Sequence, residues 1–178
     1  MIAVWLGYYE VSYSGRMPAA LQMAGSLNPR SGWEADRCSI AQTLEVLSTK
    51  SAFLLLREAF YGTTRFDDFA HRVGLSPAVT AVRLRELMGH GLLEREDYRE
   101  PGQRKRQGYR LTPRGADLFP TLAALMQWGD RWLADGVGPV ELRHRECGQR
   151  VGVHLLCRGG HEVRVEDLEL APARRRAS

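Results

Sequence analysis

The sequence predicts an α+β chain that is mainly helical. Short helices come first, then one hairpin, a long helix, and a small β-rich C-terminal appendage. Three observations carry this prediction. Between Ser39 and Gly91 apolar residues recur at helical spacing, punctuated by Gly62 and Gly74 and ended by Gly89 or Gly91. Two strand-like runs, "LLEREDY" and "YRLT", then flank the basic stretch "GQRKRQG". Beyond Gly136 the runs "VGVHLLC" and "VRVEDLEL" alternate with a period of two residues.

The 178 residues suffice for one domain with a core of its own plus an appendage. Twenty-five basic residues against 21 acidic ones leave a net charge of only +4. The distribution is more informative than the total. Between Tyr98 and Arg114 stand Arg99, Arg104, Lys105, Arg106, Arg110 and Arg114, with Glu100 as the only carboxylate. A basic stripe on a near-neutral body points to a polyanionic partner. No apolar run reaches membrane-spanning length. The opening "MIAVWLGYYEV" lacks a basic leader and a small-residue cleavage site, so it does not read as a signal peptide. Three cysteines do not make a disulfide framework, and the expected compartment is the cytoplasm.

Residues 1–36 carry Gly, Ser, Pro and Asn and sustain no helical period. They read as a flexible N-terminal arm, with later starts at Met17 or Met23 as an alternative. Residues 37–135 read as the main domain. "SIAQ" has the form of a capping box, with Ser39 at N-cap and Gln42 reaching back. Ile40, Leu44 and Leu47 then fall on one helical face. "SAFLLLREAFYG" is apolar nearly all round, so it is expected at the centre of the domain and to stop at Gly62. Thr64 begins a third helix bearing Phe66, Phe69, Ala70 and Val73, and Gly74 ends it. In "GLSP", Ser76 caps a fourth helix and Pro77 takes its first turn. Thr80, Leu84, Leu87 and Met88 make its inward stripe.

Two short helices joined by a tight glycine turn form a helix-turn-helix, and a hairpin after them makes the order of a winged helix. Thr112 and Pro113 open the long last helix, which Pro120 should kink. Its apolar residues exceed what its own small domain needs. Leu122, Leu125, Met126 and Trp132 are therefore expected at a homodimer interface, with capping of its own domain as the alternative. Residues 140–170 read as the β-rich appendage and 171–178 as a disordered basic tail.

These residues resemble the HxlR family of bacterial transcriptional regulators, winged helix-turn-helix proteins related to the MarR type. "LEVLSTKSAFLLLREAFYGTTRF" looks like the family's segment with its Lys, Arg-Glu and Arg-Phe positions. "LSPAVTAVRLRELMGHGLLERE" looks like its recognition helix and following strand. "YRLTPRGADLFPTLAALMQWG" looks like its wing return and dimer helix. The resemblance runs from Cys38 to Trp132. Ser39 and Ser51 depart from it, standing where the family usually has proline and an aromatic residue. It implies sequence-specific binding of double-stranded DNA by a homodimer, without enzymatic activity.

A helix fits the major groove, and a hairpin can follow the backbone or reach the minor groove. On the recognition helix, 76–88, the outward residues are Ser76, Ala78, Ala81, Val82 and Arg85, with Arg83 on the shoulder. Small apolar side chains can meet a thymine methyl, and arginine can fork onto guanine. On the basic wing, 98–110, Arg104, Lys105 and Arg106 sit where phosphates or a narrow minor groove would be met. The plainer alternatives are a solvated helix face and a soluble charged loop.

Cys38 stands before a helix N-terminus and beside Arg37. The resemblance implies redox sensing there, by a small-molecule or oxidant effector, whereas a small buried hydrophobe fits equally. His144-x2-Cys147 and Cys157-x3-His161 make four ligands of the zinc type, and buried cysteines with surface histidines are the alternative. No P-loop, Gly-x-Ser-x-Gly or HExxH motif is present. A protein-interaction adaptor built on a winged helix remains a second reading of the function, and a ligand pocket beside the dimer helix a further possibility.

Overall fold

The computed structural model describes residues 21–29, 38–98 and 106–173. Contacts divide the chain into two units, Arg37–Pro139 and a second made of Met1–Asp36 with Val140–Ser178. In the first, helices α1 (Ser39–Val46), α2 (Lys50–Phe60), α3 (Phe66–Val73) and α4 (Pro77–Gly89) precede the hairpin β2 (Leu93–Tyr98) and β3 (Arg106–Leu111). Helices α5 (Pro113–Ala116) and α6 (Phe119–Leu133) follow. In the second unit β1 (Gln22–Met23) pairs in parallel with β4 (Glu169–Leu170). The first unit has the winged helix-turn-helix fold.

Helix α2 lies at the centre, as its composition predicts. Leu55 and Leu56 are fully buried, together with Phe69, Leu84, Leu87 and Leu93 from α3, α4 and β2. Each such side chain contributes about 1.5–3 kcal/mol relative to leaving it in water. Thr49 caps α2, its hydroxyl accepting from the Ala52 amide at 3.2 Å. Glu58 is the charged residue of this core. Arg57 donates to its Oε1 at 2.7 Å and Thr63 to its Oε2 at 3.1 Å, so the buried carboxylate is paired and fixes the loop leaving α2.

Four local expectations are corrected. The capping box at Ser39 does not form. Cys38 takes the N-cap position and Ser39 is the first residue of α1, where a side chain cannot fold back onto the N3 amide. Leu47, the C-cap of α1, is buried, while Ile40 and Leu44 on the same predicted face are exposed. Helix α3 begins at Phe66 rather than Thr64, because the Thr64 carbonyl is used elsewhere, accepting from the Tyr109 amide at 2.8 Å. The long last helix is broken, not merely kinked. Pro120 has no N–H for the carbonyl four residues back, and Asp117 and Leu118 separate α5 from α6.

The appendage also departs from its pattern. Among the described residues "VGVHLLC" forms an isolated bridge, Leu156 with Glu162, and "VRVEDLEL" contains a 3-10 turn at Val165–Asp167. Alternation is a local pattern, and a strand also needs a neighbouring strand in register with it. Its strand pairs instead with Gln22–Met23, which lie in the stretch read as an arm. Residues 174–178 of the predicted tail lie outside the described residues.

Candidate nucleic-acid interface

Helix α4 is presented by the turn before it. Gly74 ends α3 at φ +71°, a left-handed conformation that glycine adopts without strain. Ser76 then caps α4, its hydroxyl accepting from the Val79 amide at 3.3 Å, with Pro77 at the first helical position. Thr80, Leu84 and Leu87 anchor one side in the core. Their helical spacing leaves Ser76, Ala78, Val82 and Arg85 on the exposed side, Val82 at 43% exposure. Ala81 is half-buried.

The two arginines differ. Arg83 is 28% exposed and lies along the helix, donating to Glu86 at 2.7 Å. Its Nε is buried without a hydrogen-bond partner among the described residues. Arg85 is exposed and has no such carboxylate partner among the described residues. Val79, at 42% exposure, flanks the outward face and was missed by the sequence reading. Its spacing of three from Val82 was the available signal.

The hairpin grows directly from α4. Gly91 turns the chain at φ +68°, and the Leu92 amide bonds to the Leu87 carbonyl at 2.9 Å. The strands run antiparallel with Leu93 opposite Leu111 and Tyr98 opposite Arg106. Three contacts pin the base of the hairpin to the core. Tyr109 meets Phe69 edge to face at 6.0 Å, its amide reaches Thr64, and the Thr112 hydroxyl donates to the Gly91 carbonyl at 2.6 Å. Arg106, in the last pair, is exposed. Arg104 and Lys105 lie outside the described residues. The basic stripe is weaker than its composition suggests, because Arg110 is paired across the ladder with Glu94 at 2.9 Å and faces Glu96 at 3.8 Å.

Helix α6 has two apolar sides. Ala123 is buried and Leu122 packs against the domain core, so Leu122 faces inward rather than toward a partner. Leu125, Trp128 and Trp132 are more than half exposed, at 52%, 58% and 54%. Met126 is half-buried. Trp128, absent from the predicted interface set, belongs to the exposed side.

The model of the HxlR-like helix-turn-helix family matches residues 46–136. The chain belongs to that family. It is a transcriptional regulator of the HxlR type. The helix-turn-helix regulator Rv3095 of Mycobacterium tuberculosis is 37% identical over 136 residues, covering 75% of this chain and 85% of that protein. The helix-turn-helix regulator sll1512 of Synechocystis is 35% identical over 97 residues, covering 54% of this chain and 70% of its own. Among solved structures, PA1607, described as a transcription factor, superposes with a TM-score of 0.67 at 34% identity, over 76% of this chain and 94% of that one. PA1374 of Pseudomonas aeruginosa, described likewise, gives 0.55 at 32% identity, over 79% and 95%.

In HxlR terms the matched segment takes in α2 to α6 and leaves Cys38 outside. Cys38 is a free, half-buried thiol at the N-cap of α1. The other two cysteines are exposed and lie in the second unit. His144 Nδ1 is 3.2 Å from Cys147 Sγ, and Cys157 Sγ is 3.6 Å from His161 Nδ1. Among the described residues no three His, Cys, Asp or Glu side chains are gathered in one place as a metal site. Nor is any helix among them long and apolar enough to cross a membrane.

Proposed function

We propose that this HxlR-type regulator binds double-stranded DNA sequence-specifically as a homodimer in the cytoplasm. Helix α4 enters the major groove, and the β2–β3 hairpin with the cations at positions 104–106 follows the backbone or the minor groove. The observation that carries the reading is the outward side of α4. It offers small and apolar side chains at Ala78, Val79 and Val82, and one exposed arginine at Arg85, on a helix whose other side is locked into the core. Such a surface can sit deep in a groove without a side chain that must first be moved aside. The paired Arg83 serves as a phosphate contact or as a brace on the helix.

Two copies meeting through the exposed side of α6 would place the two recognition helices about 34–36 Å apart, one turn of DNA. Trp128 and Trp132 are the natural anchors, since aromatic residues in a desolvated centre dominate interface energetics. The double change Trp128→Glu and Trp132→Glu is expected to convert the dimer to monomer at micromolar concentration and to weaken operator binding. Light scattering reads the first and titration of labelled duplex the second. A wild-type monomer at that concentration would remove the dimer from the reading.

Selection of bound duplexes from a random pool tests the proposal as a whole. Enrichment of two related half-sites with a fixed spacing supports it, whereas recovery without enrichment would leave a protein-interaction adaptor as the better reading. For the wing, alanine at Arg104, Lys105 and Arg106 together is expected to reduce the slope of log K against log salt by roughly 0.9 for each phosphate no longer neutralised. An unchanged slope takes the wing out of the interface.

A further inference from the structure

We propose that His144, Cys147, Cys157 and His161 bind one zinc ion as a four-ligand site joining the two turns of the C-terminal segment. The inference is independent of the DNA-binding reading.

The two turns are built alike. In the first, the Gly148 amide donates to the His144 carbonyl at 2.8 Å and the His144 amide to the Gln149 carbonyl at 2.9 Å. In the second, the Gly160 amide donates to the Cys157 carbonyl and the Cys157 amide to the His161 carbonyl, both at 2.9 Å. Gly148 and Gly160 carry positive φ, +68° and +81°, which lets each chain reverse tightly. Bridges Arg143–Arg150 and Leu156–Glu162 close the two loops behind their turns.

Each turn thereby holds one thiol and one imidazole side by side, with Sγ to Nδ1 separations of 3.2 Å and 3.6 Å. A tetrahedral zinc with bonds of about 2.3 Å to sulfur and 2.0–2.1 Å to nitrogen has an S–N edge of roughly 3.5 Å. Both pairs therefore stand at about the separation of two ligands on one ion. The third histidine of the segment, His154, is engaged by Glu162 at 2.7 Å. Two thiolates and two imidazoles favour zinc over the hard cations, which prefer oxygen.

The surroundings give such an ion something to do. No residue of the described part of 140–173 is buried, and Val151, Val153, Leu155 and Leu156 are exposed. A segment with so little core is commonly held by a metal or a disulfide. Among the described residues the two pairs stand as separate halves, and no buried side chain of 140–173 holds them apart. Zinc would draw them together, the two thiol protons passing to solvent as the sulfurs bind.

The test uses the untagged full-length protein, purified without chelators and incubated with zinc chloride, excess metal then being removed. About one zinc per chain is expected, falling below roughly a tenth in Cys147→Ser and in Cys157→Ser and unchanged in Cys38→Ser. Substitution by cobalt(II) in the wild-type protein gives a tetrahedral visible spectrum with thiolate charge-transfer bands. Cys147 and Cys157 resist thiol reagents until a chelator is added. The cobalt and thiol measurements need no variant, so they stand even if a cysteine variant misfolds. Zinc below a tenth of an equivalent, zinc retained in both cysteine variants, an octahedral cobalt spectrum, or thiols that react at the same rate with and without zinc would each overturn the site. The pairs would then be plain thiol–imidazole hydrogen bonds.

Discussion

Gly115→Ala is expected to destabilise the Arg37–Pro139 unit by about 3 kcal/mol or more. A Cβ at position 115 would lie 2.1 Å from the Leu92 carbonyl oxygen and 3.0 Å from its carbon. Neither atom belongs to a side chain that can rotate away. The Leu92 oxygen already accepts from the Thr112 amide at 3.1 Å, and the Gly115 amide donates to the Thr112 hydroxyl at 3.0 Å. Room for one methyl group can be made only by parting α5 from the start of β2. That separation breaks the cap of α5 and loosens Leu93, which is almost fully buried. For a unit of this size the expected fall in Tm is more than about 10 °C. Gly89→Ala is the control, since nothing lies within 4 Å of a Cβ there. It should be neutral or stabilising by no more than about 1 kcal/mol. Thermal unfolding followed by circular dichroism distinguishes the two, and equal Tm values would mean that α5 does not pack on Leu92.

The second large effect is expected at Arg85. Arg85→Ala should weaken binding to the selected duplex by about 1–3 kcal/mol, roughly 5- to 150-fold, and relax preference at one base pair of each half-site. Binding to unrelated duplex should change little, because a base contact contributes only where the right base is present. Stability should stay within about 0.5 kcal/mol, since the side chain is exposed and unpaired among the described residues. Arg83→Ala gives the contrast. That guanidinium is held at Glu86, so its removal should weaken all duplexes alike or not at all. Titrations on selected and scrambled duplexes at one fixed salt concentration read both variants. An Arg85→Ala protein that loses affinity equally for both sequences would make Arg85 a phosphate contact and leave base reading to Val79 and Val82.

The elements that were legible in the sequence are those whose cause is local. The turn between α3 and α4 needs a left-handed residue, a capping hydroxyl and a proline, and Gly74, Ser76 and Pro77 supply them within four positions. The inward stripe of α4 follows from spacing, and Thr80, Leu84 and Leu87 are buried as it requires. The misreadings arose where a group's partner comes from elsewhere in the chain. Ile40 and Leu44 have the period of a buried face, yet both are exposed. Leu122 and Leu125 look alike as sequence, but one meets the core while the other does not. Arg110 counts toward the basic stripe until Glu94 is seen beside it across the ladder.

The sequence by itself determined that a helix-turn-helix stands before a hairpin, because periodicity, caps and breakers act over a few neighbouring residues. It also determined family membership, through the order of its motifs. Only the tertiary structure decided which cations are paired, which side of α6 is open, and that Gly115 can carry no side chain. Each of these depends on atoms brought together from distant positions, and the free energy of a charge or a methyl group is set by what packs against it.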